Sequence, residues 1–577
     1  MFSRRLHTKY QLFHIDLIGS VHFCLLLSHI IKFKKIPTMD ELAQIQNLLK
    51  DEEDKKALVL DAIGSKCTTD SPFEIIQEIA KQLETGDSSL DGQLISGGKN
   101  NYCFRIFVDT HRSLALYAKL FLPYALWDEE GTFSFDIQRA QSEFDIMKQL
   151  KETEATKSSV ATPFYVLDVK GGYKLLIAEW ASETEEQWGN QFIDGHVDQR
   201  VMEAVAQGMA RINLQEVDYT WGDFVRPGML AMSPLVRSLF YKMGNMDEDE
   251  LDVVLLLLKD IGEDRYDKLV DQFCEELKEE RQVLCHNDIH PFNILVEPKP
   301  VEEGEPSEDG VDKDATPVMD QFGPNGSYLI CDWETAMCGP PGKDPGMLMA
   351  FPSACSLAFA VLGHIDEAEH LLQRNMEFWE AYEDVLKKEG GKSEDDIRDI
   401  YKAALGNMGV HQFIHLYLLG VTSELLPLDG VSEKSADRAK ASCGLVGLKL
   451  MLLHYMNEDP ELSKLDLAGL KDYYKSLMAE QIQILKAVNA QSISPKKASF
   501  LRFLARRVSD SSRHEEAAKN FSNNTIDFSC HQRNSMFDSQ DFGASMASFV
   551  DDGGIFDDDD FEVTDEIKRQ WAEDFED

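Results

Sequence analysis

His286, Asp288 and Asn293 stand in a His-x-Asp-x-x-x-x-Asn frame within Val283-Leu-Cys-His-Asn-Asp-Ile-His-Pro-Phe-Asn-Ile-Leu-Val296, and beyond the segment 297–327 a second apolar run leads into Asp332-Trp333-Glu334. These residue types at this spacing suit phosphoryl transfer. That reaction is mostly positioning and charge neutralisation: one carboxylate orients the attacking hydroxyl, while an amide and a second carboxylate hold magnesium against the nucleotide phosphates. Asp288, Asn293 and Asp332 supply those parts in that order. A lone His-x-Asp would carry little weight, because an Asp after an apolar strand also serves as a turn or helix cap. The weight comes from the whole frame, the strand behind Asn293 and the second strand ending beside Asp332.

The elements that must hold these groups follow from local pattern. Ile294-Leu-Val296 and Tyr328-Leu-Ile330 predict the two strands of a β-hairpin, with 297–327, rich in Pro, Gly, Glu and Asp, as a solvated insertion between them. Ile95-Ser-Gly-Gly-Lys-Asn-Asn-Tyr-Cys-Phe104 places Gly97, Gly98 and Asn101 in a turn before a strand, where bare backbone can approach phosphate oxygens. Leu114-Ala-Leu-Tyr-Ala-Lys-Leu-Phe-Leu122 is an apolar strand broken by one charge, Lys119, which needs a partner or a ligand. A helix follows, with Asp136 as a cap and Ile137, Ala140, Phe144 and Met147 at helical spacing, and Glu143 lies beside that apolar face. A strand lysine held by a helix glutamate is the pair that grips nucleotide phosphates in a kinase, and Lys119 with Glu143 fits it. Tyr173 to Trp180 predicts a further strand, after which the chain would cross between lobes and offer backbone to adenine around Ala178, Glu179 and Trp180.

With these residues in view, the chain resembles the aminoglycoside phosphotransferase and choline kinase superfamily, enzymes of protein-kinase-like fold that phosphorylate small metabolites, and within it is most similar to methylthioribose kinases. Three passages carry the finer likeness: Ala118-Lys-Leu-Phe-Leu-Pro-Tyr124, Gln138-Arg-Ala-Gln-Ser-Glu143, and Asp332-Trp-Glu334 with Gly339-Pro-Pro-Gly-Lys-Asp344. The likeness runs from about Gln93 to about His364 and more weakly to about Tyr455. It implies an α+β, bilobal fold with a small β-rich N-terminal lobe and a larger, mainly helical C-terminal lobe, and ATP and Mg2+ as cofactors. It also implies a methylthioribose-like acceptor, with choline or ethanolamine as the alternative. Glu334 would join Asp332 and Asn293 at the metal. Two positions depart from the methylthioribose branch: Asn293 stands where its members usually carry Ser, and Lys449 alone stands in a late helix where they carry paired arginines, whose bidentate forks one lysine does not reproduce. A catalytically silent scaffold of the same fold is the rival from a different class. Asp344 is expected to accept hydrogen bonds from the catalytic loop or cap a helix, and His286 to brace that loop.

The 577 residues accommodate a segment 1–38, an N-terminal lobe with leading helices over 39–180, a helical lobe over 181–500 and an acidic tail over 501–577. A net charge of −44 argues against general binding to nucleic acid or anionic membranes. The ten cysteines lack a Cys-x-x-Cys pair or a dense framework, which fits a reducing compartment and a cytoplasmic location. Residues 1–38 carry Arg4, Arg5, Lys9, Lys32, Lys34 and Lys35, and their apolar stretch is interrupted by His14, Asp16, His22 and His29, too polar for a stable membrane span. That segment reads equally as a targeting sequence and as an extension ahead of a start at Met39. Phe556, Phe561, Trp571 and Phe575 recur among the acids of the tail, as in a disordered segment that docks on a protein partner or merely solubilises. Trp188, Trp221 and Phe224 are expected in core packing rather than in a substrate pocket.

Overall fold

The computed structural model describes Leu49, 51–97, 100–124, 135–180, 186–216, scattered positions between 222 and 237, 252–296, 328–418, 426–428, 431–456 and 464–492. Gly98, Trp221, Phe224, the segment 1–38, the insertion 297–327 and the tail 501–577 lie outside them. The chain divides into units 1–512 and 513–577, and everything described belongs to the first.

Two helices lead, α1 (Glu52–Gly64) and α2 (Glu74–Glu84). The Asp51 carboxylate caps α1 by accepting the Asp54 N–H, one of the donors that a helix start leaves unpaired. They are followed by β1 (Leu90–Gly97), β2 (Asn101–Val108), β3 (His111–Phe121), α3 (Arg139–Glu152), β4 (Pro163–Val169) and β5 (Tyr173–Glu179). The strands form one antiparallel sheet in the order β1-β2-β3-β5-β4. Period-two alternation divides β3 between two environments. Leu116, Ala118 and Leu120 pack with Val59, Ile63, Ile76 and Ile79 of the leading helices, while Tyr117 and Phe121 join the core on the opposite face. Lys119 shares the parity of that second pair, which turns it toward α3 and the larger lobe. The helix α3 starts at Arg139 and not at Asp136. Asp136 instead closes a turn ahead of it, its Oδ1 accepting the Gln138 N–H and its carbonyl the Arg139 N–H.

The larger lobe opens with β6 (Glu186–Gln187), α4 (Gly189–Ile193), α5 (Gln199–Asn213), α6 (Val253–Ile261) and α7 (Glu263–Glu279). Four short strands then carry the polar motifs: β7 (Val283–Cys285), β8 (Ile294–Val296), β9 (Tyr328–Ile330) and β10 (Met337–Gly339). The predicted hairpin is present, with Ile294 opposite Ile330 and Val296 opposite Tyr328, and β7 pairs with β10. Helices α8 (Lys343–Leu362), α9 (Ile365–Lys388), α10 (Glu394–Val410), α11 (Glu433–Met451) and α12 (Leu467–Ser492) complete it. A π-helical stretch, His411–Leu418, prolongs α10.

Helix α8 is long and apolar enough to cross a membrane by composition, yet it is buried and packs against α9, α10, α11 and α12 as the axis of the lobe. Trp188, Trp379 and Tyr382 are fully buried in the same core. The Tyr382 hydroxyl donates to Asn213 Oδ1 at 2.7 Å, and Asn213 Nδ2 donates to the Leu284 carbonyl at 2.7 Å, which ties α9 and α5 to β7, the strand that leads into the loop holding His286, Asp288 and Asn293. Gly342 and Gly346 let α8 lie directly on α10: a Cβ on Gly346 would stand 2.3 Å from the Ala404 carbonyl oxygen and 2.9 Å from the Met408 nitrogen. Because backbone cannot yield as a side-chain tip can, Gly346→Ala is expected to destabilise the lobe by about 1–3 kcal/mol, measured as a lowered denaturation midpoint. An unchanged midpoint would show that the two helices are not held at this distance.

Candidate active site

The loop between β7 and β8 is fixed from beneath by one carboxylate. Asp344, buried in the first turn of α8, accepts the His286 N–H at 2.7 Å and the Asn287 N–H at 3.0 Å. Asn287 has φ 69, the left-handed region, and turns the chain so that Asp288 opens to solvent. The His286 ring is buried, with Nε2 2.7 Å from the Cys331 carbonyl and its plane against Trp333 at 4.6 Å. Burial holds the imidazole below the usual histidine range, so its role is to brace the loop. Asn293 Nδ2 donates to the Asp288 carbonyl at 2.9 Å, and the Asn293 carbonyl accepts the Cys331 N–H at 2.8 Å, locking the loop to the end of β9.

Above this loop lies a network of buried charges. Lys119 Nζ is 2.8 Å from Glu143 Oε2 and 3.3 Å from Glu334 Oε2, and it donates to Asp332 Oδ1. The lysine of β3, the glutamate of α3 and both acids after β9 therefore meet at one point. Asp332 has φ 68, a strained conformation that Asp tolerates better than most residues and that here aims its carboxylate at Lys119. Glu334 also accepts Asn101 Nδ2 at 2.5 Å and lies 3.6 Å from Arg139 Nη1. Arg139 Nη2 in turn donates to Asn101 Oδ1 at 2.8 Å and to the Leu122 carbonyl at 2.9 Å. Asn101 thus works as a strut between the glycine turn and Glu334.

One ammonium shared by three carboxylates sets the electrostatics. Burial alone would lower Lys119, but Asp332, Glu143 and Glu334 together hold it well above the usual lysine value. Burial likewise opposes ionisation of Asp332, and Lys119 outweighs it, keeping that carboxylate below its ordinary range. Glu143 loses the competition: burial, with Asp332 and Glu334 nearby, pushes it up to about 7 despite the contact with Lys119. Burial together with the charges of Asp332 and Glu334 pushes Asp288 up to about 7. Its carboxylate faces solvent, which softens the burial contribution and leaves the acidic neighbours as the durable cause.

The predicted residues are brought together unequally. Asp288, His286, Asn293, Lys119, Glu143, Asp332, Glu334 and Asn101 converge, and Gly97 ends β1 opposite Tyr102, beside the turn. Glu179 stands apart: its carboxylate accepts the Thr162 N–H at 3.0 Å and the Thr162 hydroxyl at 2.6 Å, and its own N–H donates to the Thr162 carbonyl at 2.8 Å. The acids whose oxygens lie within 4.8 Å of one another are Glu143, Asp332 and Glu334. Glu334 is held by Lys119, Asn101 and Arg139, and Asp332, which contacts Lys119, keeps a side-chain exposure of 37%. Arg139 has no role in the sequence reading; an arginine in a helix's first turn, beside an acid-rich site, was its signal.

Asp344→Ala is expected to leave two buried backbone N–H groups unpaired, at a cost of about 2–4 kcal/mol in unfolding free energy. Asp344→Asn, which keeps one acceptor, should recover part of that loss. Equal midpoints for Asp344→Ala and the parent chain would show that the loop is held by other contacts.

No protein-family model matches the chain, and no curated protein matches it. Among solved structures it is similar to a thermostable mutant of aminoglycoside phosphotransferase APH(4)-Ia in ternary complex with ADP and hygromycin B: 13% identity, 66% of this chain and 98% of that one, TM-score 0.31. It is also similar to the GDP complex of wild-type aminoglycoside 2'-phosphotransferase-IIIa, at 12% identity over 66% of this chain and 97% of that one, TM-score 0.29. Likeness at this level assigns neither activity nor substrate.

Proposed function

We propose that this chain is an ATP- and Mg2+-dependent kinase that transfers the γ-phosphate to a hydroxyl of a small metabolite. The observation that supports it most directly is the convergence of Lys119, Glu143 and Asp332, from three distant parts of the chain, over the loop that presents Asp288. Lys119, oriented by Glu143, binds nucleotide phosphate oxygens. Asp332 and Asn293, with Glu334 assisting, would hold magnesium, whose charge would offset that of the phosphates. Asp288 accepts a hydrogen bond from the acceptor hydroxyl; as that oxygen forms its bond to the γ-phosphorus and the bond to the bridging oxygen of ADP breaks, the hydroxyl proton passes to Asp288.

A methylthioribose-like sugar is the acceptor that the sequence resemblance favours. The departures from the methylthioribose branch at Asn293 and Lys449 leave choline or ethanolamine as the alternative acceptor.

Asp288→Asn should leave ADP binding unchanged and reduce phosphoryl transfer by roughly 10²–10⁴-fold, as loss of a general base does. The assay is ATP turnover with magnesium against methylthioribose, choline, ethanolamine, homoserine and aminoglycosides. Nucleotide binding without turnover on any acceptor would favour the scaffold reading. Because Asp288 must be ionised to take the proton and is pushed up to about 7, kcat/KM should climb with pH along a limb displaced above the ordinary aspartate range. A profile flat from about pH 5 to 8 would remove Asp288 from that role.

A further inference from the structure

Arg139 is buried at the start of α3, only 3% exposed, and the phosphoryl-transfer reading gives it no part. Its guanidinium lies over the rings of Phe135 at 4.2 Å and Phe121 at 5.5 Å, which favours one orientation of its plane. Nη2 donates to the Leu122 carbonyl at 2.9 Å just past the end of β3, to Asn101 Oδ1 at 2.8 Å at the start of β2, and to the Asn100 carbonyl at 3.4 Å in the glycine turn. Nη1 lies 3.6 Å from Glu334 Oε1.

The chemistry of these partners makes the arrangement directional. A guanidinium only donates and an ionised carboxylate only accepts, whereas the Asn101 amide has one end of each kind. With Oδ1 held by Arg139, the amide has to turn Nδ2 toward Glu334. It donates there at 2.5 Å, and Asn100 Nδ2 adds a longer contact at 3.5 Å. Asn101 and Glu334 are both buried, so a reversed amide would set donor against donor and acceptor against acceptor where water does not reach to relieve either. Asn101 stands opposite Phe121 across β2 and β3, and Gly97 opposite Tyr102 across β1 and β2, so a contact that fixes Asn101 also fixes the end of the glycine turn. An arginine that served only to neutralise Glu334 would approach it at hydrogen-bond distance. Arg139 stays farther off and makes its closer contacts with the turn and with β3.

We propose that Arg139 is a positioning residue: by setting the polarity of the Asn101 amide it holds the glycine turn against Glu334, so that the backbone facing the nucleotide phosphates and the acid assisting at the metal keep one separation. The proposal rests on the kinase reading and adds to it the device that ties the phosphate turn to the acid after β9.

Arg139→Lys isolates this role, because it keeps the charge and loses the fork that reaches Asn101 and Leu122 together. In the full chain without nucleotide, hydrogen exchange of the backbone amides over Asn101–Phe104 should quicken by roughly ten-fold, the worth of one charge-assisted hydrogen bond, while exchange over Leu175–Ala178 stays as in the parent. Calorimetry should show Mg-ADP binding weakened by about 10–100-fold, as when a group that orients metal-holding side chains is lost. Asn101→Ala should reproduce both effects, and the double variant should be no worse than either single one, since the two side chains act through one contact. An arginine that serves only the fold would give a lower melting temperature with exchange and Mg-ADP affinity unmoved, or effects that add in the double variant, and either result overturns the proposal. If Arg139→Lys does not fold, Asn101→Ala decides alone, and an unchanged Mg-ADP affinity in it overturns the proposal. Failure of the parent chain to bind Mg-ADP would overturn the kinase reading and this role with it, whereas a parent and an Arg139→Lys variant that bind Mg-ADP equally well would remove the role and leave the kinase reading intact.

Discussion

The contact between Lys119 and its three carboxylates is the constraint on which the remaining architecture depends. Lys119 and Arg139 contribute two positive charges, and Glu143, Asp332 and Glu334 three negative ones, all within a few hydrogen-bond lengths. Such a network adds little net stability, since desolvation consumes most of the Coulombic gain, but removing one member strands the others. It therefore specifies arrangement more than it adds strength. The second face of the sheet, the start of α3 and the end of β9 have to meet for any of these charges to be satisfied. Burial, together with the excess negative charge, displaces Glu143 and Asp288 upward.

The backbone beneath is arranged to the same end. Asn287 and Asp332 are the non-glycine residues with positive φ among the described residues, and they flank the site from two different strands. Each conformation costs about 1–2 kcal/mol. They persist because neighbours fix both ends: Asp344 clamps the N–H groups at His286 and Asn287, and the Trp333 N–H donates to Glu143 Oε1 at 3.3 Å immediately after Asp332. His286, packed on Trp333 and bound to the Cys331 carbonyl, joins the two strained turns to one another. The burial of α8, which carries Asp344, thus bears directly on the geometry of Asp288.

Sequence made the loop between β7 and β8 legible because its pattern is local: Asp288, Asn293 and their flanking strands fall in one short frame, and the predicted strands Ile294–Val296 and Tyr328–Ile330 do pair as a hairpin. Lys119 was legible for another reason, as a charge where strand periodicity demanded an apolar residue. Its partner Glu143 followed from the amphipathic period of α3. What escaped depended on contacts between segments with no shared pattern. Arg139 finds Asn101, Leu122 and Glu334, which only the tertiary fold brings together. Asp136 had the composition of a cap yet turned the chain three residues before the helix, and Glu179 ended a strand in the expected place with its side chain committed to Thr162.

Lys343 and Asp344 show how adjacent buried residues at one helix start can be compensated differently. Asp344 is a buried charge whose two backbone donors compensate it, so it holds the loop and contributes to the fold. Lys343 is buried beside it, and among the described residues no carboxylate oxygen is in ion-pair contact with its ammonium. The tight fit of Gly342 and Gly346 on α10 holds the start of α8, and with it the Asp344 carboxylate, in place beneath the His286 and Asn287 N–H groups.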